Sequence, residues 1–325
     1  MQKSLAALAL AAASVIVLSG CSTTATARGD GGGTVQVVAS TNVYGALAAE
    51  IGGDRVAVTS LIDSVAKDPH SYEATARDRL VVQNADLLIE NGGGYDAFME
   101  ELRDGSDAAV ITAVEFSHDY PGATAEEHEH VDEHEHAEEH EHADDHGHAH
   151  IEGFNEHVWF DAHTVSHVAE QIAADLAELD PAGKADFAAN AKKLNDDLED
   201  IESELHGLHE KLEGTPVFIT EPLPGLLAAA AGLDDVTPDG FASAVEEGND
   251  VAPATLLEAL SLIDDGKVRA VLANAQTGGS ETSRVEDAAT QVGIPVLTFS
   301  ELLDADQSYA EWMRAAISDL AALQK

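Results

Sequence analysis

Residues 35–61 read VQVVASTNVYGALAAEIGGDRVAVTSL. A β-branched run, Val35–Ser40, gives way to a helical pattern over Val43–Ile51 and then to a second β-branched run, Val56–Leu61. Strand, helix, strand in so short a stretch is a βαβ unit, and such units build mainly parallel sheets. The alternation continues with a helix over Arg77–Ala85 and strands over Leu87–Glu90 and Ala109–Val114. It restarts near the other end of the chain. Val217–Thr220, Ala270–Ala273 and Pro295–Phe299 read as strands, and Pro253–Asp264 and Ser280–Val292 as helices, the first opened by a proline suited to that position. The expected fold class is α/β, with two βαβ lobes of mainly parallel sheet.

Between the two halves lie helical patterns over Val165–Leu179 and Ala182–Leu212. The second carries Phe187, Ala191, Leu194, Leu198, Ile201, Leu205, Leu208 and Leu212, spaced by three and four, which is a one-sided apolar stripe. A helix of that length is expected to lie across both lobes as a connector. The expected organisation is an N-terminal lobe over 34–164, a helical connector over 165–212 and a C-terminal lobe over 213–325.

The full chain of 325 residues is long enough for about two domains. It has 16 basic and 61 acidic residues, a formal charge of -45, which argues against a nucleic-acid partner and favours cations. One cysteine excludes an internal disulfide framework and any cysteine-based zinc finger. That cysteine ends the run Leu18-Ser19-Gly20-Cys21, directly after the apolar stretch Leu5–Leu18. The stretch is too short to span a membrane comfortably and fits a signal-peptide core. The expectation is a signal peptide over 1–20, lipidation at Cys21 as in bacterial lipoproteins, and a flexible tether over 21–33 rich in Ser, Thr, Ala and Gly. The mature protein is then a monomer held outside the cytoplasm on a lipid anchor.

Residues 118–150 hold ten of the 16 histidines, twelve acids and no Lys or Arg. His118 opens the segment; His128, His130, His134, His136, His140, His142, His146, His148 and His150 follow in repeats such as Glu-His-Glu-His. With so little apolar content the segment cannot pack, and imidazole with carboxylate suits loose, exchangeable binding of Zn, Cu, Ni or Fe.

Six histidines stand outside it. His70 lies in Asp68-Pro69-His70-Ser71-Tyr72-Glu73, and His157 in Asn155-Glu156-His157-Val158-Trp159-Phe160-Asp161. Both segments sit at the edges of α/β elements, where open α/β sheets bind ligands. Glu221 follows the Val217–Thr220 strand and Glu301 follows Pro295–Phe299. Two imidazoles from one lobe and two carboxylates from the other can meet across a cleft and compensate a divalent cation. His163 and His167 share a helix face, as do His206 and His209; all four read as surface residues, with His163 near enough to His157 to serve in reserve. Asn91-Gly92-Gly93-Gly94 is not completed to a dinucleotide fingerprint, and neither His-Glu-x-x-His nor Gly-x-Ser-x-Gly occurs.

From about Val35 to Lys325 the chain resembles the zinc and manganese solute-binding lipoproteins of bacterial ABC importers, the cluster A-I family. The two histidine segments resemble its first two ligand motifs. Ile219-Thr220-Glu221-Pro222, with Gly225 and Ala231-Gly232-Leu233, resembles the third, and Ser300-Glu301-Leu302 stands where members usually carry Asp. Ala244-Val245-Glu246-Glu247-Gly248-Asn249-Asp250 resembles the family's second-lobe region. The resemblance implies a metal held in the inter-lobe cleft by His70, His157, Glu221 and Glu301. It implies capture and delivery to an ABC permease of the cytoplasmic membrane, without catalysis. The histidine-rich segment points to Zn2+, while two carboxylates leave Mn2+ as the alternative. The rival readings are a secreted metalloenzyme, which needs an open coordination position, and an adhesin or metal buffer that uses only the 118–150 segment.

Overall fold

A computed structural model describes residues 34–65, 67, 69–121, 151 and 153–324. Cys21, the 1–33 leader and tether, and the nine histidines from His128 to His150 lie outside the described residues.

The first lobe runs β1 (Val35–Thr41), α1 (Asn42–Gly52), β2 (Val56–Ile62), α2 (Ala76–Val82), β3 (Leu87–Glu90), α3 (Phe98–Arg103) and β4 (Ala109–Thr112). Its sheet has the order β2-β1-β3-β4, parallel throughout. α1 buries Val43, Tyr44, Leu47, Ala48 and Ile51, one apolar face, and lies close on β2. Gly45 makes that approach possible, since a Cβ there would stand 2.1 Å from Ser60 Oγ. α2 starts one residue before the expected Arg77–Ala85, where Thr75 and Asp78 form a capping box, and ends three residues earlier, the chain turning away after Val82. The expected strand to Val114 ends at Thr112, where a 3-10 turn over Ala113–Phe116 begins.

Two helices follow, α4 (Ala162–Leu179) and α5 (Lys184–Leu212). Asp161 caps α4 by accepting from the His163 and Thr164 amides. α5 is 29 residues long. All eight residues of its stripe are buried, none more than 5% exposed. They pack on α4, α1 and α10 (Tyr309–Ala321), with Arg314 of α10 reaching Asp197 at 3.1 Å and Glu204 at 3.4 Å.

The second lobe repeats the first sheet's plan. β5 (Thr215–Ile219), α6 (Gly225–Ala230), β6 (Leu233–Asp235), α7 (Phe241–Glu246), α8 (Pro253–Asp264), β7 (Ala270–Asn274), α9 (Ser280–Val292) and β8 (Val296–Phe299) give a parallel sheet of order β6-β5-β7-β8. The chain then returns toward the first lobe. Leu302 joins the cluster around Val38, Ile62, Leu88 and Met99, and Asn42 pairs with the Leu303 backbone in both directions, at 2.8 and 3.1 Å. Tyr309 OH donates to the Trp159 carbonyl at 2.7 Å, and Trp312 stacks on Phe160. Among the described residues no helix is long and apolar enough to cross a membrane.

Leu198 is 1% exposed at the middle of the α5 stripe. Leu198→Ala is expected to cost about 2–5 kcal/mol, through lost burial plus the cavity left behind. Urea unfolding should show this as a lower midpoint at unchanged m-value. Glu90, at the end of β3, gives the fold a pH dependence. Burial, reinforced by the Asp96 charge, pushes its carboxyl up to about 7, against the pull of Arg103 and the Thr112 hydroxyl. The folded state therefore keeps a proton that the unfolded chain releases above 4.5. The stabilisation is complete below that value and is lost as pH rises to about 7. Its size is at most about 3 kcal/mol. Glu90→Gln should flatten the fall in unfolding free energy across this window, measured by denaturant titration at several pH values.

Candidate metal centre

The carboxyl ends of the second lobe's strands deliver most of the acidic groups. Glu221 stands two residues beyond β5 and Glu301 two beyond β8, and both are fully buried. Asn274, the last residue of β7, lies between them. Its Nδ2 donates to Glu221 Oε1 at 2.8 Å and to Glu301 Oε1 at 2.7 Å. The other oxygen of Glu301 accepts from Tyr95 OH of the first lobe at 2.7 Å. Burial first, and then the Glu301 charge, hold the Tyr95 phenol well above its ordinary range, so it stays a donor.

The histidines come from the first lobe. His70 follows β2 in the turn at Pro69, where the Tyr72 amide donates to the Pro69 carbonyl at 3.3 Å. Its ring meets Tyr95 edge-on at 4.9 Å. Its Nε2 is 3.9 Å from both Glu221 Oε1 and Glu301 Oε2. His157 is fully buried beside Trp159 and Tyr95. Asn155 Oδ1 accepts from the His157 amide at 3.0 Å and lies 2.8 Å from its Nδ1. The neutral ring therefore carries its proton on Nδ1 and turns the Nε2 lone pair into the cleft. The Asn155 Nδ2 donates to the Pro222 carbonyl at 2.9 Å, so one side chain orients His157 and ties it to the segment that carries Glu221.

A further layer supports this wall. Asn91, after β3, donates to the Glu156 carbonyl at 2.9 Å and accepts from Tyr44 OH. The Gly92–Gly94 run is a backbone turn, with φ of +69° at Gly93, whose added Cβ would come within 3.2 Å of Glu156 Cβ. Its glycines serve close packing here.

The structure thus brings His70, His157, Glu221 and Glu301 to one cleft, and it adds Glu246. The last residue of α7 turns its carboxylate inward, with the side chain 7% exposed and Oε1 3.8 Å from His157 Nε2. One ligand atom from each of His70, His157, Glu221 and Glu246 can be chosen so that all lie within 4.8 Å of one another. Tetrahedral ligands about 2.1 Å from a zinc ion stand about 3.4 Å apart. The cluster therefore needs only a small contraction to grip such an ion.

Glu246 and Asn155 lie within segments that resemble the family's, but nothing in the sequence marks either side chain as part of the site, and Tyr95 and Asn274 carry no periodic or spacing signal of their own. Among the described residues the other histidines face elsewhere. His163 and His167 meet edge-on at 4.8 Å on the outside of α4, so His163 does not stand in reserve for His157. His206 is 81% exposed, and His209 Nδ1 lies 3.2 Å from the Ala230 carbonyl. His118 is exposed beside Asp119.

The family model described as zinc-uptake complex component A, periplasmic, matches residues 37–323. The manganese-binding lipoprotein MntA of Halalkalibacterium halodurans is 25% identical over 223 residues, 68% of this chain and 66% of its own length, just under two thirds. The manganese ABC transporter substrate-binding lipoprotein scaA of Streptococcus gordonii is 24% identical over 277 residues, covering 78% of this chain and 81% of its own. Among solved structures, that of ZnuA superposes with a TM-score of 0.68 at 20% identity, covering 90% of this chain and all of that one. The periplasmic zinc-binding protein TroA of Treponema pallidum gives 0.67 at 19%, covering 90% and 99%. The two-lobed parallel architecture is the one these structures share. With all but the ends of the described fold matched by its model, the chain belongs to the ZnuA family.

Proposed function

We propose that this protein captures a divalent transition-metal ion outside the cytoplasm and delivers it to an ABC permease of the cytoplasmic membrane. The observation that carries the reading is the meeting of two imidazoles and three carboxylates in one buried cleft. Buried carboxylates at such spacing repel and are costly unless a cation compensates them. The names of the relatives, which describe manganese-binding and substrate-binding lipoproteins of metal importers, support the same role. So does the run Leu18-Ser19-Gly20-Cys21, which would anchor the mature chain by a lipid on Cys21. The work is binding and release, with no reaction catalysed.

Zn2+ is the ion proposed. His70 and His157 supply nitrogen, and the ten histidines of 118–150 would gather the same ion close by. Mn2+ is the second reading, favoured by the excess of carboxylate over imidazole in the cleft and by the manganese named for MntA and scaA.

Saturating metal should stabilise the native state by about 4 kcal/mol at 1,000-fold excess over Kd. His70→Ala and His157→Ala should each lose most of the zinc-induced rise in Tm, read against each variant's own metal-free Tm, which truncation of the fully buried His157 lowers. An unchanged zinc shift in both variants would count against the site. Deleting residues 118–150 should lower the zinc stoichiometry to one and leave the tight site's affinity nearly unaltered in calorimetric titration. Loss of all tight binding in that deletion would favour the buffer reading. Competition between Zn2+ and Mn2+ on the full chain decides the ion.

A further inference from the structure

His118, His206 and His209, all outside the cleft, line one cavity of about 390 Å³ together with Asp119 and Glu202. Two distant segments build it. Glu202, His206 and His209 stand at i, i+4 and i+7 of α5, on one face at the C-terminal end of that helix. His118 comes from the turn after Ala113–Phe116, where the Ser117 amide donates to the Val114 carbonyl at 3.0 Å and the Tyr120 amide to the Ser117 carbonyl at 3.2 Å. That turn fixes the backbone, while the His118 side chain is 73% exposed. His209 is the most ordered of the three. Its Nδ1 lies 3.2 Å from the Ala230 carbonyl, an oxygen that only accepts, so the neutral ring carries its proton there and keeps a lone pair on Nε2. Gly232 makes room for the ring, since a Cβ there would stand 3.0 Å from His209 Cγ. A backbone carbonyl that fixes one ring nitrogen is the usual support of a metal-bound histidine. Among the described residues only the cleft holds its ligands already converged. Here, closing on an ion takes rotation of the two exposed side chains, His118 and His206.

We propose that His118, His206 and His209 form a second, open site for Zn2+ on the surface of the folded body. Three imidazoles leave a coordination position for water, and Asp119 and Glu202 add the attraction of two carboxylates. A nitrogen donor set of this kind favours Zn2+ over Mn2+. Exposed rings make the site quick to load and to release, whereas His157 and the glutamates of the cleft are buried. Phe160 borders the cavity and ends the 3-10 turn that follows His157, so the second ion is held just behind the wall that carries that ligand. None of the three histidines takes part in the cleft, so the two sites can be filled and lost separately.

The test uses the full chain, Zn2+ or Mn2+, and diethyl pyrocarbonate, which acylates the lone pair of a neutral imidazole and spares a coordinated one. Peptide mass spectrometry then reads each histidine. With Zn2+ added beyond what fills the cleft, His118, His206 and His209 should become protected together, over one and the same zinc range. Mn2+ should leave them reactive. His118→Ala should lose the protection of His206, and His206→Ala that of His118. Both variants should keep the metal-free Tm, since the side chains removed are exposed, and the zinc-induced rise that the cleft supplies. In His70→Ala, whose cleft is weakened, the three should still be protected. Unchanged reaction of His118 and His206 in a chain whose cleft is full would overturn the site. Protection of His206 that persists in His118→Ala would do so too, since another segment would then supply the ligand. Equal protection by Mn2+ would overturn the choice of ion.

Discussion

One carboxamide sets the geometry of the cleft. Asn274 Nδ2 donates at once to Glu221 and Glu301, two fully buried carboxylates that would otherwise repel. The arrangement depends on register. β5, β7 and β8 are adjacent and parallel in the second sheet, so residues just past their ends emerge at one level. Asn274 ends the strand between the other two, within reach of both neighbours. An amide offers two protons and partial positive charge, enough to orient two anions and too little to neutralise them. The remaining negative charge favours a cation over an anion there.

The rest of the fold keeps the first lobe's histidines facing that charge. The α5 stripe buries eight side chains against helices α1, α4 and α10, so the backbone between the sheets is a packed unit. The chain after β8 reinforces it. Leu302 enters the first lobe's core, Leu303 pairs with Asn42, and Tyr309 reaches the Trp159 carbonyl two residues from His157. Tyr95 crosses in the opposite sense to Glu301. Contacts of both kinds flank the site, apolar on the outside and hydrogen-bonded within.

Much of this was legible in the sequence. Strands such as Leu87–Glu90 and helices such as Pro253–Asp264 and Ser280–Val292 appear where β-branched runs and helical spacing place them. The stripe from Phe187 to Leu212 is buried residue for residue. His70, His157, Glu221 and Glu301 could be picked out because their segments resemble the family's ligand motifs, and each also lies at the edge of a regular element. Shorter elements escaped. β6 is three residues long and ends in two aspartates, and α7 spans only six, too few for a period to register. α10 went unread although Tyr309, Trp312, Met313, Ala316, Ile317 and Leu320 form its buried face. Glu246 and Glu247 are chemically identical neighbours, one inward and one exposed, and only the turn of α7 distinguishes them. Tyr95 and Asn274 matter through distances across the fold, which linear spacing does not encode.

Asn155 carries two duties on one amide group. Its oxygen keeps the proton of His157 on Nδ1, and its nitrogen holds the Pro222 carbonyl across the gap. Separating the lobes breaks the second bond, while the oxygen still accepts from the His157 amide and faces its Nδ1. The orientation of the imidazole is thus set within the first lobe. An opening of the cleft would carry the Glu221 segment away and leave the His157 lone pair aimed as before, ready for the next ion.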